Sequence, residues 1–108
     1  MAIKERAWYA WIDEMPPEPR RFHIVGEVQV QNLGVEALLT VRGPQGIDPY
    51  ILRLNLNLHQ KSGVWPQMVA WVAAVYDETM LPLAGRYIEV QVFHGDELLV
   101  TEPVYEPH

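Results

Sequence analysis

The stretch that decides the fold is Tyr50-Ile-Leu-Arg-Leu-Asn-Leu-Asn-Leu-His59, in which apolar and polar residues alternate. A period of two places neighbouring side chains on opposite faces of an extended chain, so this segment predicts a β-strand with one apolar face. Burying one leucine contributes about 2 kcal/mol before the entropy of folding is subtracted. The residues predicted to face the core are Tyr50, Leu52, Leu54, Leu56 and Leu58.

The segments around this strand show similar patterns. Residues 21–31 alternate again, and Gly26 falls on their apolar side, where a glycine within a strand often marks a bulge or a close approach of another backbone segment. The inward residues predicted for this second strand are Phe22, Ile24, Val28 and Val30. Further strands are predicted over residues 6–12, 35–42, 86–93 and 97–104, and the last two form a hairpin around His94-Gly95-Asp96.

Two segments are less regular. Residues 15–19 contain three prolines and predict an extended connector. Residues 64–76 are apolar almost throughout, and both strand and helix are compatible with them. Pro66, followed by apolar residues at helical spacing, suits an amphipathic helix. The near absence of a polar face suits a strand buried on both sides, and the surrounding strands favour this second interpretation.

About seven short strands separated by turns predict an all-β protein, an antiparallel two-sheet sandwich of immunoglobulin-like architecture. With 108 residues, the chain has the usual length of one domain, so we expect residues 1–108 to form a single β-sandwich domain. The step Leu81-Pro-Leu-Ala-Gly-Arg-Tyr87 resembles the tyrosine corner of immunoglobulin-like sandwiches. This resemblance covers residues 81–104 and implies that the Tyr87 hydroxyl bonds back to the preceding turn.

Composition narrows the classes of function. The chain has no cysteine, which excludes disulfides, thiolate metal sites and a cysteine nucleophile. Its net charge is −6, and Arg20-Arg21 is the only run of basic residues, so nucleic acid is not an expected partner. No apolar run is long enough to span a membrane, and the first residues do not resemble a signal peptide. We therefore expect a cytoplasmic protein without a membrane partner.

No pattern in the sequence indicates catalysis. Ser62 is the only serine, and no Gly-x-Ser-x-Gly motif surrounds it. Acidic residues occur as neighbours in sequence, which places them on opposite faces of a strand or in solvated turns. His23, His59 and His94 could meet in a folded sheet, but none belongs to a His-x-His pair that would indicate a metal site. We expect no enzymatic activity, no metal and no cofactor.

Four tryptophans are many for a chain of this length. Indole rings stack on sugars, and they also anchor protein interfaces. Trp71 lies within the apolar run and is predicted to be buried, whereas Trp65 is predicted to be the most exposed. Trp8 and Trp11 are three residues apart, so a strand would place them on opposite faces. The candidate binding residues are Trp65, Trp8, Trp11 and Tyr76.

These observations predict a non-catalytic β-sandwich that works through contacts with another protein or with a second copy of itself. The alternative is a small-ligand or carbohydrate-binding module that uses exposed aromatic side chains. A concave aromatic site would favour the alternative, and a flat self-complementary patch would favour association. In either case, Trp65→Ala is predicted to weaken binding or association and to leave the fold largely intact.

Overall fold

The computed structural model describes residues 3–14, 19–80 and 86–105, which form seven β-strands. The predicted all-β class and the number of strands are confirmed. Among the described residues there is no helix, and hence none long and apolar enough to cross a membrane. The strands are β1 (Glu5–Asp13), β2 (Arg21–Val30), β3 (Val35–Val41), β4 (Ile51–Gln60), β5 (Ala70–Thr79), β6 (Glu89–His94) and β7 (Glu97–Tyr105).

The strands form one mixed sheet in the order β3-β4-β6-β7-β1-β2-β5, which is nearly closed into a barrel. The pairs β1–β7 and β4–β6 are parallel, and the other adjacent pairs are antiparallel. The structure thus does not show the predicted antiparallel two-sheet immunoglobulin-like sandwich. The physical reason is that alternation along a strand reports which of its faces is buried and contains no information about its pairing partner.

The hydrophobic core lies inside the curled sheet. The central leucines of β4, Leu52, Leu54 and Leu56, are buried there as predicted. Tyr50 and Leu58 differ from the prediction, being 50% and 39% exposed, because they lie where the sheet opens at its two ends. The predicted inward residues of β2 are all buried, namely Phe22, Ile24, Val28 and Val30.

The apolar run of residues 64–76 divides into two parts. Residues 61–69 form no strand, whereas β5 begins at Ala70 and continues to Thr79, so the strand interpretation is confirmed for that part. The predicted burial on both faces is not observed, because Ala74 is buried while Ala73 and Val75 are exposed. A single curled sheet has solvent on its outer side, so only one face of β5 can reach the core.

A bulge in β1 separates the outward Arg6 from Trp8, which lies on the inner side with Ala10 and Ile12. The register of β1 against β2 shifts at this point, and Ala7 has a φ of 61°, in the left-handed region. The Trp8 ring lies so close to Gly26 of β2 that a Cβ atom there would be 2.2 Å from it. The close neighbour of Gly26 is thus a side chain and not another backbone segment, and the bulge lies in the adjacent strand β1. Trp11, beyond the bulge, lies on the outer side, as its spacing from Trp8 predicted.

The hairpin of β6 and β7 turns at Gly95-Asp96, as predicted, although β6 begins at Glu89. The Tyr87 hydroxyl donates to Glu78 of β5 at 2.8 Å, which differs from the bond to the preceding turn that the tyrosine corner implies. Most of that turn, residues 81–85, lies outside the described residues, as does the predicted proline connector apart from Pro19.

Candidate functional site

Three aromatic side chains and a histidine form a continuous row on the outer side of β7, β1 and β2. Trp11 of β1 is in register with His23 of β2 and with Tyr105 of β7. Tyr9 precedes Trp11 by two residues, so both side chains point to the same side of β1. We call Tyr9, Trp11, His23 and Tyr105 the aromatic face.

The rings of the aromatic face lie against one another. The ring centroids are separated by 5.1 Å for Tyr9 and Tyr105, and by 5.3 Å for Tyr9 and Trp11. Trp11 and His23 are 4.9 Å apart, and the interplanar angles of the three pairs are 16°, 28° and 25°. Near-parallel rings at these separations overlap in offset stacks, so each ring has at least one face covered by a neighbour. Tyr9 and Tyr105 are nevertheless 47% exposed.

The polar groups beside the aromatic face are paired. His23 Nδ1 and the Asp77 carboxylate are hydrogen-bonded between β2 and β5. Arg6 Nε donates to Glu27 Oε1 at 3.0 Å, and the Arg6 guanidinium carbon lies 3.9 Å from the centroid of the Trp71 ring. Trp71, predicted to be buried, is therefore a half-buried outer residue beneath Arg6.

The four binding residues predicted from the sequence do not lie together. Trp11 belongs to the aromatic face. Trp8 and Tyr76 are half-buried and pack against the core on the inner side of the sheet. Trp65 lies in the segment between β4 and β5. Of these four side chains, Trp11 alone is part of the aromatic face.

Trp65 is half-buried, which differs from the predicted exposure. Its indole lies over Gly34, where a Cβ atom would come within 2.5 Å of the ring. Its Nε1 donates to the Lys61 carbonyl at 3.1 Å, and Lys61 Nζ is 5.3 Å from the ring centroid. These contacts hold residues 61–69 against Gly34, which directly precedes β3. We therefore expect Trp65→Ala to lower the stability of the fold in addition to any effect on binding.

Tyr76 belongs to a half-buried polar cluster. The hydroxyls of Tyr76 and Tyr87 donate to Oε1 and Oε2 of Glu78 at 2.7 and 2.8 Å, and both rings contact Phe22. Burial, together with the hydrogen bond to Glu78 and its negative charge, raises the pKa of Tyr87 to about 12 and also raises the pKa of Tyr76. Both phenols therefore remain hydrogen-bond donors at neutral pH, and they connect β5 to the segment before β6.

The described residues line a cavity at each of the two opposite ends of the sheet. One of them, of about 600 Å³, is lined by the apolar side chains of Ile3, Val30, Val35 and Leu58 and by polar residues that include Lys4. On its rim, the amides of Asn32 and Gln60 donate to each other at 2.9 and 3.1 Å. The smaller, of about 340 Å³, lies between the loop of residues 45–49 and the Glu78 end of β5.

The histidines considered from the sequence lie on three different strands. His23 is bonded to Asp77, whereas His59 and His94 are exposed at the ends of β4 and β6. Within residues 3–14, 19–80 and 86–105, no three or more His, Cys, Asp or Glu side chains are grouped so that they could hold a metal ion.

The candidate binding residues from the sequence include Trp11 but not the other three members of the aromatic face, Tyr9, His23 and Tyr105. Tyr9 could have been found, because it shares a strand face with Trp11. Tyr105 could not, because its position beside Trp11 depends on the parallel pairing of the first and last strands.

No protein-family model, curated protein or solved structure matches this chain. Function is therefore inferred from the residues and contacts of the chain itself.

Proposed function

We propose that this protein is a non-catalytic interaction module that associates with a second copy of itself through the aromatic face. The observation that carries the proposal is an ordered row of rings on the outer side of the sheet, with Tyr9 and Tyr105 47% exposed. Tyrosine and tryptophan are enriched among the residues that dominate binding energies. Stacking already restricts the rotamers of these side chains, which reduces the entropy lost on binding.

The shape of the aromatic face favours a protein partner over a sugar. Sites for small ligands are usually concave, whereas this row lies on the outer side of a curled sheet. The rings also stack on one another, and this stacking reduces the flat area that a sugar ring could cover. Val25 and Val75, in register beside Tyr9, extend the apolar surface instead, and Val75 is 46% exposed.

The charges around the aromatic face suit a second copy of the chain. Two molecules with a net charge of −6 repel each other at long range. Next to the aromatic face, however, Arg6 forms an ion pair with Glu27, and Asp13 lies opposite Arg21 in the β1–β2 register. Charge repulsion is therefore reduced where the apolar rings are exposed.

Sedimentation velocity over a wide range of protein concentrations tests this proposal. We expect the wild-type protein to shift from monomer to dimer as the concentration rises, and Trp11→Ala to remain monomeric at concentrations where the wild type is a dimer. Leu38→Ala is the matched control, because Leu38 is 47% exposed on the outer side of the distant strand β3. A wild-type protein that stays monomeric throughout, or a Trp11→Ala variant that dimerises normally, would refute self-association.

The larger cavity supports a second candidate function, the binding of a small apolar ligand. Its volume of about 600 Å³ is typical of ligand sites, and its lining combines the apolar side chains of Ile3, Val30, Val35 and Leu58 with polar side chains that include Asn32 and Gln60. We expect the dye 1-anilinonaphthalene-8-sulfonate to bind the wild type and Leu38→Trp, but not Leu58→Trp, in which the new ring fills the cavity. Equal dye binding by all three proteins would contradict a ligand site here.

A further inference from the structure

Arg42 and Arg53 lie side by side on the outer side of the sheet, away from the aromatic face. The Arg42 amide donates to the Arg53 carbonyl at 2.9 Å and continues the β3–β4 register, so the two residues are directly opposite each other. Their guanidinium carbons are 4.3 and 4.8 Å from the centroid of the Phe93 ring. Like charges directly opposite each other in a sheet are destabilising unless a counter-ion offsets them.

The chain itself provides little negative charge for this pair. Arg42 Nη1 donates to the side-chain oxygen of Asn55 at 2.7 Å and to the Gly95 carbonyl at 2.8 Å, and both acceptors are neutral. Arg42 Nη2 is 3.7 Å from an Asp96 oxygen, but the Asp96 side chain is fully exposed, and exposed pairs of this kind are weak.

The positive charge of Arg53 is compensated even less than that of Arg42. The Nε of Arg53 is buried without a hydrogen-bond partner. Across the part of the chain that the structure describes, Arg53 forms no ion pair with a carboxylate. Gln91 is in register with Arg53 on β6, and it donates instead to Glu89 at 3.2 Å. The Phe93 ring therefore contacts both guanidinium groups, and the neutral acceptors of Asn55 and Gly95 hold that of Arg42, but none of these contacts cancels a positive charge.

We propose that Arg42 and Arg53 form a binding site for a carboxylate or phosphate oxyanion. A guanidinium group presents a planar fork of N–H donors that matches the oxygens of either anion. Two such groups on one aromatic ring would share the anion, which would replace the weak contact with Asp96. This site is on the outer side of β3, β4 and β6, so it does not depend on self-association through the aromatic face.

An NMR titration of the full chain tests the site. Sodium phosphate and sodium acetate are added separately, with the ionic strength held constant by sodium chloride, and the backbone and guanidinium resonances of Arg42 and Arg53 are followed. We expect saturable shifts. Saturation with phosphate alone, with acetate alone or with both identifies the preferred oxyanion. Shifts that stay linear with both anions, or that match those in chloride, would overturn the proposal.

Three variants distinguish a specific anion-binding site from non-specific attraction of anions to any positive charge. Arg53→Gln should weaken binding by about tenfold or more, because charge-assisted hydrogen bonds are lost. Arg42→Lys keeps the charge but loses the planar fork, so it should weaken binding as well, and it decides the matter if Arg53→Gln does not fold. Arg21→Gln removes the same charge from the exposed start of β2 and should bind like the wild type. Normal affinity in both site variants, or an equal loss in Arg21→Gln, would overturn the proposal.

Discussion

The outer aromatic rings in the two halves of the sheet differ in how much of their surface is exposed to solvent. On β3, β4 and β6, Phe93 is only 7% exposed, because the Arg42 and Arg53 side chains lie over it. On β7 and β1, Tyr9 and Tyr105 contact each other and remain 47% exposed. Arginine has a long apolar stem and a planar head, so it can cover a ring while its charge stays near water.

This comparison separates two uses of an aromatic side chain. A ring that the chain covers itself contributes its buried area to folding. A ring that only its neighbours cover keeps apolar area that a partner could bury later. The same sheet can therefore be stabilised by Phe93 and still present Trp11 and Tyr9 for association.

The largest expected effect comes from replacing the covered ring. Phe93→Ala should lower the free energy of unfolding by about 3 kcal/mol or more, the usual cost of removing a buried phenylalanine. Trp11→Ala should cost less, about 1 to 2 kcal/mol, because it removes stacking with Tyr9 and His23 from a half-buried position. Urea denaturation of both variants measures the difference. Equal losses of unfolding free energy in the two variants would show that the covered ring of Phe93 and the outer ring of Trp11 contribute equally to folding.

A leucine of the hydrophobic core provides the reference value of unfolding free energy for this comparison. Leu54 is completely buried, so Leu54→Ala should cost about 2 to 5 kcal/mol in urea denaturation. Leu38→Ala, on the outer side of the neighbouring strand, should cost less than about 1 kcal/mol. A cost below about 1 kcal/mol for Leu54→Ala would mean that β4 does not line the core as described.

The contact of Trp8 with Gly26 tests whether β1 divides its tryptophans between the two sides. A Cβ at Gly26 would lie 2.2 Å from the Trp8 ring, so Gly26→Ala should cost about 1 to 3 kcal/mol through overpacking. In the Trp8→Ala background the same substitution should cost little, because the clash is gone. Thermal unfolding of the four proteins in this double-mutant cycle measures the coupling. Additive effects would show that Trp8 does not contact Gly26, and would leave both tryptophans of β1 as candidates for the outer surface.

The smallest expected effect concerns the two tyrosines that donate to Glu78. A raised pKa in the folded state means that the folded protein keeps its phenolic protons when the unfolded chain has begun to lose them, near pH 10. These two tyrosines thus make their full contribution to the free energy of unfolding below pH 10. The contribution falls as the pH rises through the pKa of Tyr87, which is about 12. Glu78→Gln should lower both pKa values, as followed by ultraviolet absorbance of tyrosinate. Unchanged titration would show that Glu78 does not accept these bonds.

Alternation within the chain determined much of what the structure shows. It located β4 and β2 and the inward side of each, from Phe22 to Leu56, and it placed Trp8 and Trp11 on opposite faces. These properties are local, because side-chain direction in a strand depends only on position along it. The sequence also singled out Gly26 as a position of special backbone geometry, although only the structure shows that the Trp8 ring lies against it.

Only the tertiary structure decided which strands pair and which surface side chains meet. The parallel pairing of β1 with β7 brings Tyr105 to Tyr9 and Trp11, and the β3–β4 register sets Arg42 opposite Arg53. The burial of Trp65 against Gly34 is likewise a contact between separate segments. Period-two alternation is the same for every partner a strand could have, so pairing is settled by packing of the whole chain, and the two proposed sites exist only after that choice is made.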